Sequence, residues 1–119
     1  MTAQNPSTRK PTITKEHFVH SLQLILPNES VLFEAEDTHA YECDGLSAYR
    51  KLPWVVALPD TVEQIQAIVR ICNAHQVPVI TRGAGTGLSG GALPQNDCLL
   101  LTLTKLNKII EIDAINNTA

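Results

Sequence analysis

Pro78-Val79-Ile80-Thr81-Arg82-Gly83-Ala84-Gly85-Thr86-Gly87-Leu88-Ser89-Gly90-Gly91-Ala92-Leu93-Pro94 is the stretch that decides how this chain is read. Five of the six glycines in the sequence fall between Gly83 and Gly91, directly after a short apolar run. Glycine allows positive φ and lets another group approach the backbone closely. A glycine run that follows a strand can therefore turn several N–H groups inward on one anion, a phosphate-binding concavity made of main chain alone. A plain turn needs one or two glycines, and each further ordered glycine carries an entropy cost that a turn alone does not justify.

Three kinds of phosphate loop compete for this stretch. A Walker loop ends in Gly-Lys-Ser/Thr, whose lysine meets the outer phosphates. No lysine occurs between Lys51 and Lys105, which argues against it. The dinucleotide pattern G-x-G-x-x-G is met literally by Gly85, Gly87 and Gly90. That pattern needs a helix to start inside it, because the pyrophosphate sits on the helix N-terminus. Here Gly91 to Asp97 reads as loop and Cys98 to Thr104 as strand, which leaves no room for the helix. The third arrangement is strand, glycine loop, strand, with the loop itself wrapping a pyrophosphate.

Arg82 to Leu93 resembles the pyrophosphate loop of the vanillyl-alcohol-oxidase-type (PCMH-type) FAD-binding fold. Within that superfamily it is most similar to the glycolate oxidase D subunit and FAD-linked D-lactate dehydrogenase family. The similarity extends to Tyr41-Glu42-Cys43-Asp44-Gly45-Leu46-Ser47-Ala48-Tyr49-Arg50 and Pro53-Trp54-Val55-Val56-Ala57-Leu58-Pro59, and runs from about Leu32 onward. The resemblance implies an α+β fold: the first half of a PCMH-type FAD-binding domain, preceded by an N-terminal helix. It implies FAD as cofactor, held by the backbone of Gly83, Ala84, Gly85, Thr86 and Gly87, with Leu88, Ser89 and Gly90 closing the loop. The Thr86 hydroxyl is expected to donate to a phosphate oxygen, and Pro59 to end the first strand beside the same site. Arg82 either adds positive charge near the phosphates or fixes the loop stem by a salt bridge. Relatives with covalently attached flavin carry histidine where this loop has Thr86, so the FAD is expected to be non-covalent.

The implied reaction is oxidation of a small 2-hydroxy acid, such as glycolate or D-lactate, to the 2-oxo acid. No catalytic residue is assigned in this chain, since the family's substrate-binding groups belong to regions that follow. Family members continue into the second half of the FAD domain and a substrate-binding cap domain. The expected partners are thus FAD and the remainder of the flavoenzyme or a complementary subunit. A stand-alone nucleotide-binding module and a non-catalytic subunit that pairs with another chain are the alternatives.

Composition sets the outer bounds. The 119 residues fit one small domain, 44% of them hydrophobic, with a formal net charge of −3 and scattered Lys and Arg. With one Trp, two Tyr and two Phe, the chain offers neither the basic face nor the stacking platform of a nucleic-acid binder. Cys43, Cys72 and Cys98 are far apart and odd in number, against a disulfide framework or a zinc site. The N-terminus has no apolar signal core and no stretch is long enough to span a bilayer. A cytoplasmic location is expected, with attachment to the inner membrane only through partner subunits.

The remaining elements read as follows. Residues 1–12 are a polar tail, 13–52 a helical lead-in segment and 53–119 the incomplete FAD domain. Thr14 is the predicted N-cap of a helix with Phe18, Leu22 and Ile25 on one face, ended by Pro27. His17 and His20 on it lack a third ligand, and His39, Cys43 and Asp44 fit no metal template. Trp54–Leu58 is a buried strand. Asp60 and Glu63 form the predicted cap of a second helix, with Val62, Ile65, Val69 and Cys72 as its stripe, supported by Ile68 and Ile71, and its end near His75. Val79–Thr81 follows as a strand parallel to the first. Leu99–Thr104 is a strand, Lys105–Lys108 a turn, and Ile109–Asp113 a further strand with Ile110 and Ile112 alternating against Glu111 and Asp113. Asn116-Asn117 reads as a hairpin turn, with Thr118 starting the return.

Overall fold

The structure is a computed structural model and describes residues 10–41, 53–83 and 97–119. Helix α1 (Lys15–Gln23) starts where the sequence places it: the Thr14 hydroxyl accepts from the His17 amide at 3.3 Å. Phe18, Val19 and Leu22 are its buried residues. It closes at Gln23, short of Pro27, where the Ile25 amide bonds the Leu22 carbonyl three residues back at 3.0 Å instead of continuing the four-residue ladder. A single helical turn (Asn28–Ser30) leads into strand β1 (Val31–Leu32), and a short helix α2 (Ala35–Thr38) follows. The lead-in segment thus contributes a strand to the sheet. Thr12 is tied down as well, its amide and hydroxyl both donating to the His75 carbonyl.

Strand β2 (Val55–Ala57) is followed by helix α3 (Val62–Ala74), strand β3 (Val79–Arg82) and strand β4 (Leu99–Thr102). The cap of α3 sits one residue later than the sequence reading. Thr61 Oγ1 accepts from the Gln64 amide at 3.2 Å, and Gln64 Oε1 accepts from the Thr61 amide at 3.2 Å and the Asp60 amide at 2.6 Å. Both pairs fit the capping-box pattern, which takes Glu or Gln at the third position. Gln64 wins because its one oxygen serves two amides, while the Asp60 carboxylate turns toward Lys105. The buried stripe rotates with it: Ile68 and Cys72 are enclosed and Ile65 and Ile71 pack beside them, whereas Val62 and Val69 are exposed. The helix ends at His75, as expected, in a Schellman arrangement. Gln76 takes φ 55°, its amide reaches the Asn73 carbonyl, the Val77 amide bonds to the Cys72 carbonyl at 2.9 Å, and Val77 is buried.

The four strands form one sheet in the order β1-β2-β4-β3. β1 is antiparallel to β2, while β2 and β3 each run parallel to β4. The first two strands of the expected βαβ unit do point the same way, but β4 lies between them. The reason is burial. Leu99, Leu100, Leu101 and Thr102 are all at most 2% exposed, so β4 requires cover on both faces and both edges, whereas the half-buried residues of β3 tolerate an edge. Val55 and Ala57 of β2 and Leu99 and Leu101 of β4 join Phe18, Leu22, Ile68 and Cys72 in one core under α1 and α3. Phe18 stacks on Trp54 with ring centroids 5.6 Å apart, clamping α1 to the start of β2. The intervening residues Val56 and Leu100 are equally buried on the opposite face.

After β4 the Leu103 amide bonds to the Arg82 carbonyl and ordered pairing stops. The predicted strand Ile109–Asp113 does not form: only an isolated bridge joins Asp113 to Thr118. Ile109, Ile110, Ile112 and Ile115 stand 73%, 98%, 73% and 92% exposed. An alternating pattern makes a strand only when a neighbouring strand takes up its backbone groups. The predicted turn is present. Asp113 Oδ1 accepts from the Ile115 and Asn116 amides at 3.1 Å, Asn116 Nδ2 donates to Oδ2 at 2.7 Å, and Asn117 adopts φ 55°.

Candidate nucleotide site

Because β2, β4 and β3 run in one direction, their C-terminal ends share one edge of the sheet, the edge where open parallel sheets bind ligands. Leu58-Pro59 leaves β2 there, Leu103 leaves β4, and Gly83 leaves β3. β1 runs the other way and begins at the same edge, where the Ser30 carbonyl accepts from the Leu58 amide at 2.9 Å. Pro59 is fully buried, so the corner after β2 is fixed by packing as well as by its ring.

Of the sequence-predicted site residues, Pro59, Arg82 and Gly83 therefore lie on this single edge. Ala84, Gly85, Thr86, Gly87, Leu88, Ser89 and Gly90 lie outside the described residues. Arg82 is half-buried and engaged by side-chain or backbone contacts. A Cβ built on Gly83 meets nothing within 4 Å, so the space in front of this backbone is open to an incoming group.

Two residues at this edge were not singled out in the sequence. Lys105 Nζ donates to Ser30 Oγ at 2.6 Å and stands 4.0 Å from the Asp60 carboxylate. The ion pair is about half exposed and contributes roughly 0–1 kcal/mol, so its effect is to locate the chain after β4 against the corner after β2. Thr102, at the end of β4, is 1% exposed and its Oγ1 has no hydrogen-bond partner. A buried polar group left unsatisfied costs about 1–3 kcal/mol. The available signal was a polar residue closing the apolar run Cys98–Leu101.

Among the described residues the other titratable groups form no cluster at this edge. Burial pushes the Cys72 thiol up to about 12, which makes it inert packing under α3. Among the described residues no group of three or more His, Cys, Asp or Glu side chains could hold a metal ion. No described helix is long and apolar enough to cross a membrane.

The four-stranded sheet with helices packed on it is an α+β scaffold whose three parallel strands end at one open edge. A family described as "FAD binding domain" matches residues 53–119, and the chain belongs to that family. It is 42% identical over 109 residues to glycolate oxidase subunit GlcD of Escherichia coli (strain K12), covering 92% of this chain and 22% of that protein. It is 40% identical over 98 residues to a D-2-hydroxyglutarate dehydrogenase of Xanthomonas citri pv. viticola, covering 82% of this chain and 21% of the relative. Among solved structures, p-cresol methylhydroxylase with substrate bound superimposes with a TM-score of 0.75 at 31% identity, covering 89% of this chain and 22% of that one. The chain thus spans about a fifth of the length of these relatives. FAD is the cofactor that the family and the resembling loop share.

Proposed function

We propose that this chain supplies the FAD pyrophosphate site of an oxidoreductase that converts a small 2-hydroxy acid to the 2-oxo acid. The observation that carries the reading is the meeting of Pro59, Arg82 and Gly83 at the C-terminal edge of three parallel strands, in a chain of the FAD-binding family. The relatives' names favour glycolate, D-lactate or D-2-hydroxyglutarate as the substrate class. When bound, FAD supplies acceptance of two electrons from the carbon bearing the hydroxyl.

This chain's residues bind and orient. The backbone amides of Gly83 to Gly87 would hold the pyrophosphate, with Leu88, Ser89 and Gly90 closing the loop and the Thr86 hydroxyl serving as donor to a phosphate oxygen. Thr86 in place of histidine keeps the flavin non-covalent. Arg82 adds positive charge or fixes the loop stem, and Pro59 holds the neighbouring corner. Catalytic groups lie in the remainder of the flavoenzyme, which packs over the exposed Ile109, Ile110, Ile112 and Ile115.

The test is to purify the full-length protein and remove and restore its flavin. Glycolate, D-lactate and D-2-hydroxyglutarate are then added without oxygen. Bleaching of the flavin absorbance by one of them, and release of the flavin by acid without covalent remnant, are expected. A full-length protein that neither carries nor takes up FAD would sink the proposal.

A further inference from the structure

We infer that Thr102 is a further cofactor-positioning residue, whose hydroxyl hydrogen-bonds the dinucleotide directly or through one ordered water. Three observations meet at this residue. It pairs in parallel register with Arg82, so the two side chains leave adjacent strands on the same face of the sheet. That face is the one opposite α1 and α3, because Leu99 and Leu101 belong to the core cluster and Thr102 does not. Its Oγ1 is buried with no partner in the protein, and it is the one such side-chain atom among the described residues.

Threonine hydroxyls usually find a carbonyl, as Thr38 does with Glu34 and Ala35 in the same molecule. Valine fills the same volume in a strand without an unmet hydrogen bond, and the strand carries leucine at its other three positions. A buried hydroxyl here, paired in register with Arg82, is a donor and acceptor available to a group that arrives at the edge. The inference rests on the FAD-binding reading above and extends it to a strand that carries no glycine motif.

The experiment uses the full-length protein, stripped of flavin, with wild type and Thr102→Val, Thr102→Ser and Thr102→Ala side by side. FAD affinity is read by titration, and the melting temperature is read on the apoprotein. Thr102→Val is expected to weaken FAD binding by about fivefold to tenfold, the loss of one hydrogen bond, while the apoprotein melts at the same temperature or higher. Serine is expected to bind within about twofold of wild type and more tightly than alanine, since that pair differs only in the hydroxyl. The Ser/Ala comparison decides the matter if the valine variant does not fold. Unchanged affinity for Thr102→Val, or equal affinity for serine and alanine, overturns the inference. So does a weakened affinity accompanied by a lowered apoprotein melting temperature, the signature of lost packing. Wild type that does not bind FAD overturns the functional reading itself, an outcome distinct from all of these.

Discussion

Strand β4 and the segment Ile109–Ile115 are both aliphatic stretches, and they end in opposite environments. Leu99, Leu100 and Leu101 are 2% exposed or less, whereas Ile110 is 98% exposed and its three neighbouring isoleucines at least 73%. The difference is not hydrophobicity. β4 inserts between two parallel strands that satisfy its backbone and is covered on both faces. The later segment finds no ladder partner among the described residues. An apolar run therefore states what must be covered, and topology states what covers it. The residues of β4 are enclosed, while the isoleucines after Leu106 stand exposed.

The sharpest way to break this comparison is a pair of truncations measured by chemical denaturation. Leu99→Ala is expected to cost about 2–5 kcal/mol, since it opens a cavity in a closed core. Ile110→Ala in these 119 residues alone should change stability by no more than about 0.5 kcal/mol. In the full-length protein it should cost more than about 1 kcal/mol if the segment is covered there. Equal, small effects of Ile110→Ala in both would refute the proposed docking of this segment.

Gly85→Val addresses the site rather than the core. A β-branched side chain disfavours positive φ and fills a phosphate concavity. FAD affinity of the full-length protein should fall by about 100-fold or more, roughly 2.7 kcal/mol, while its apoprotein keeps the wild-type circular dichroism spectrum. Retained affinity would remove the loop from the site.

A smaller effect is expected at the corner between β2 and α3. Thr61→Ala should cost about 1 kcal/mol through loss of the capping box. Asp60→Ala should cost less, because the Asp60 side chain makes only the half-exposed contact with Lys105. The reverse ranking would restore Asp60 as the cap.

The two regions also differ in pH response. The Cys72 thiol, ordinarily near 9.0, is pushed to about 12 by burial. Between those values the unfolded chain releases a proton that the folded one keeps, so the body loses stability as pH rises through that window. Asp113 is held below its usual 3.8 by the Asn116 side chain and then by backbone amides. Its contribution is present above that value and is lost as pH falls, so the 114–117 turn should loosen in acid, visible in the amide shifts of Ile115 and Asn116. A body that melts identically at pH 8 and pH 11 would contradict the first half.

Much of this was legible from residues a few positions apart. Thr14 before Phe18 and Leu22, the end of α3 at His75, the positions of β2, β3 and β4 and the Asn116-Asn117 turn all rest on local rules: side-chain caps and helical or alternating period. The sequence by itself therefore determined most of the elements and, through the family resemblance, the cofactor. It misplaced the α3 cap by one residue, because Asp60 and Thr61 both satisfy the local pattern and the seating of Gln64 Oε1 on both their amides separates them. It missed strand β1, the insertion of β4 between β2 and β3, the failure of Ile109–Asp113 to pair, and the arrival of Thr102 and Lys105 at the C-terminal edge of the parallel strands. Those were decided by the tertiary structure alone. Each depends on which strand lies beside which, and strand order is chosen by the burial and hydrogen bonding of residues far apart in the chain.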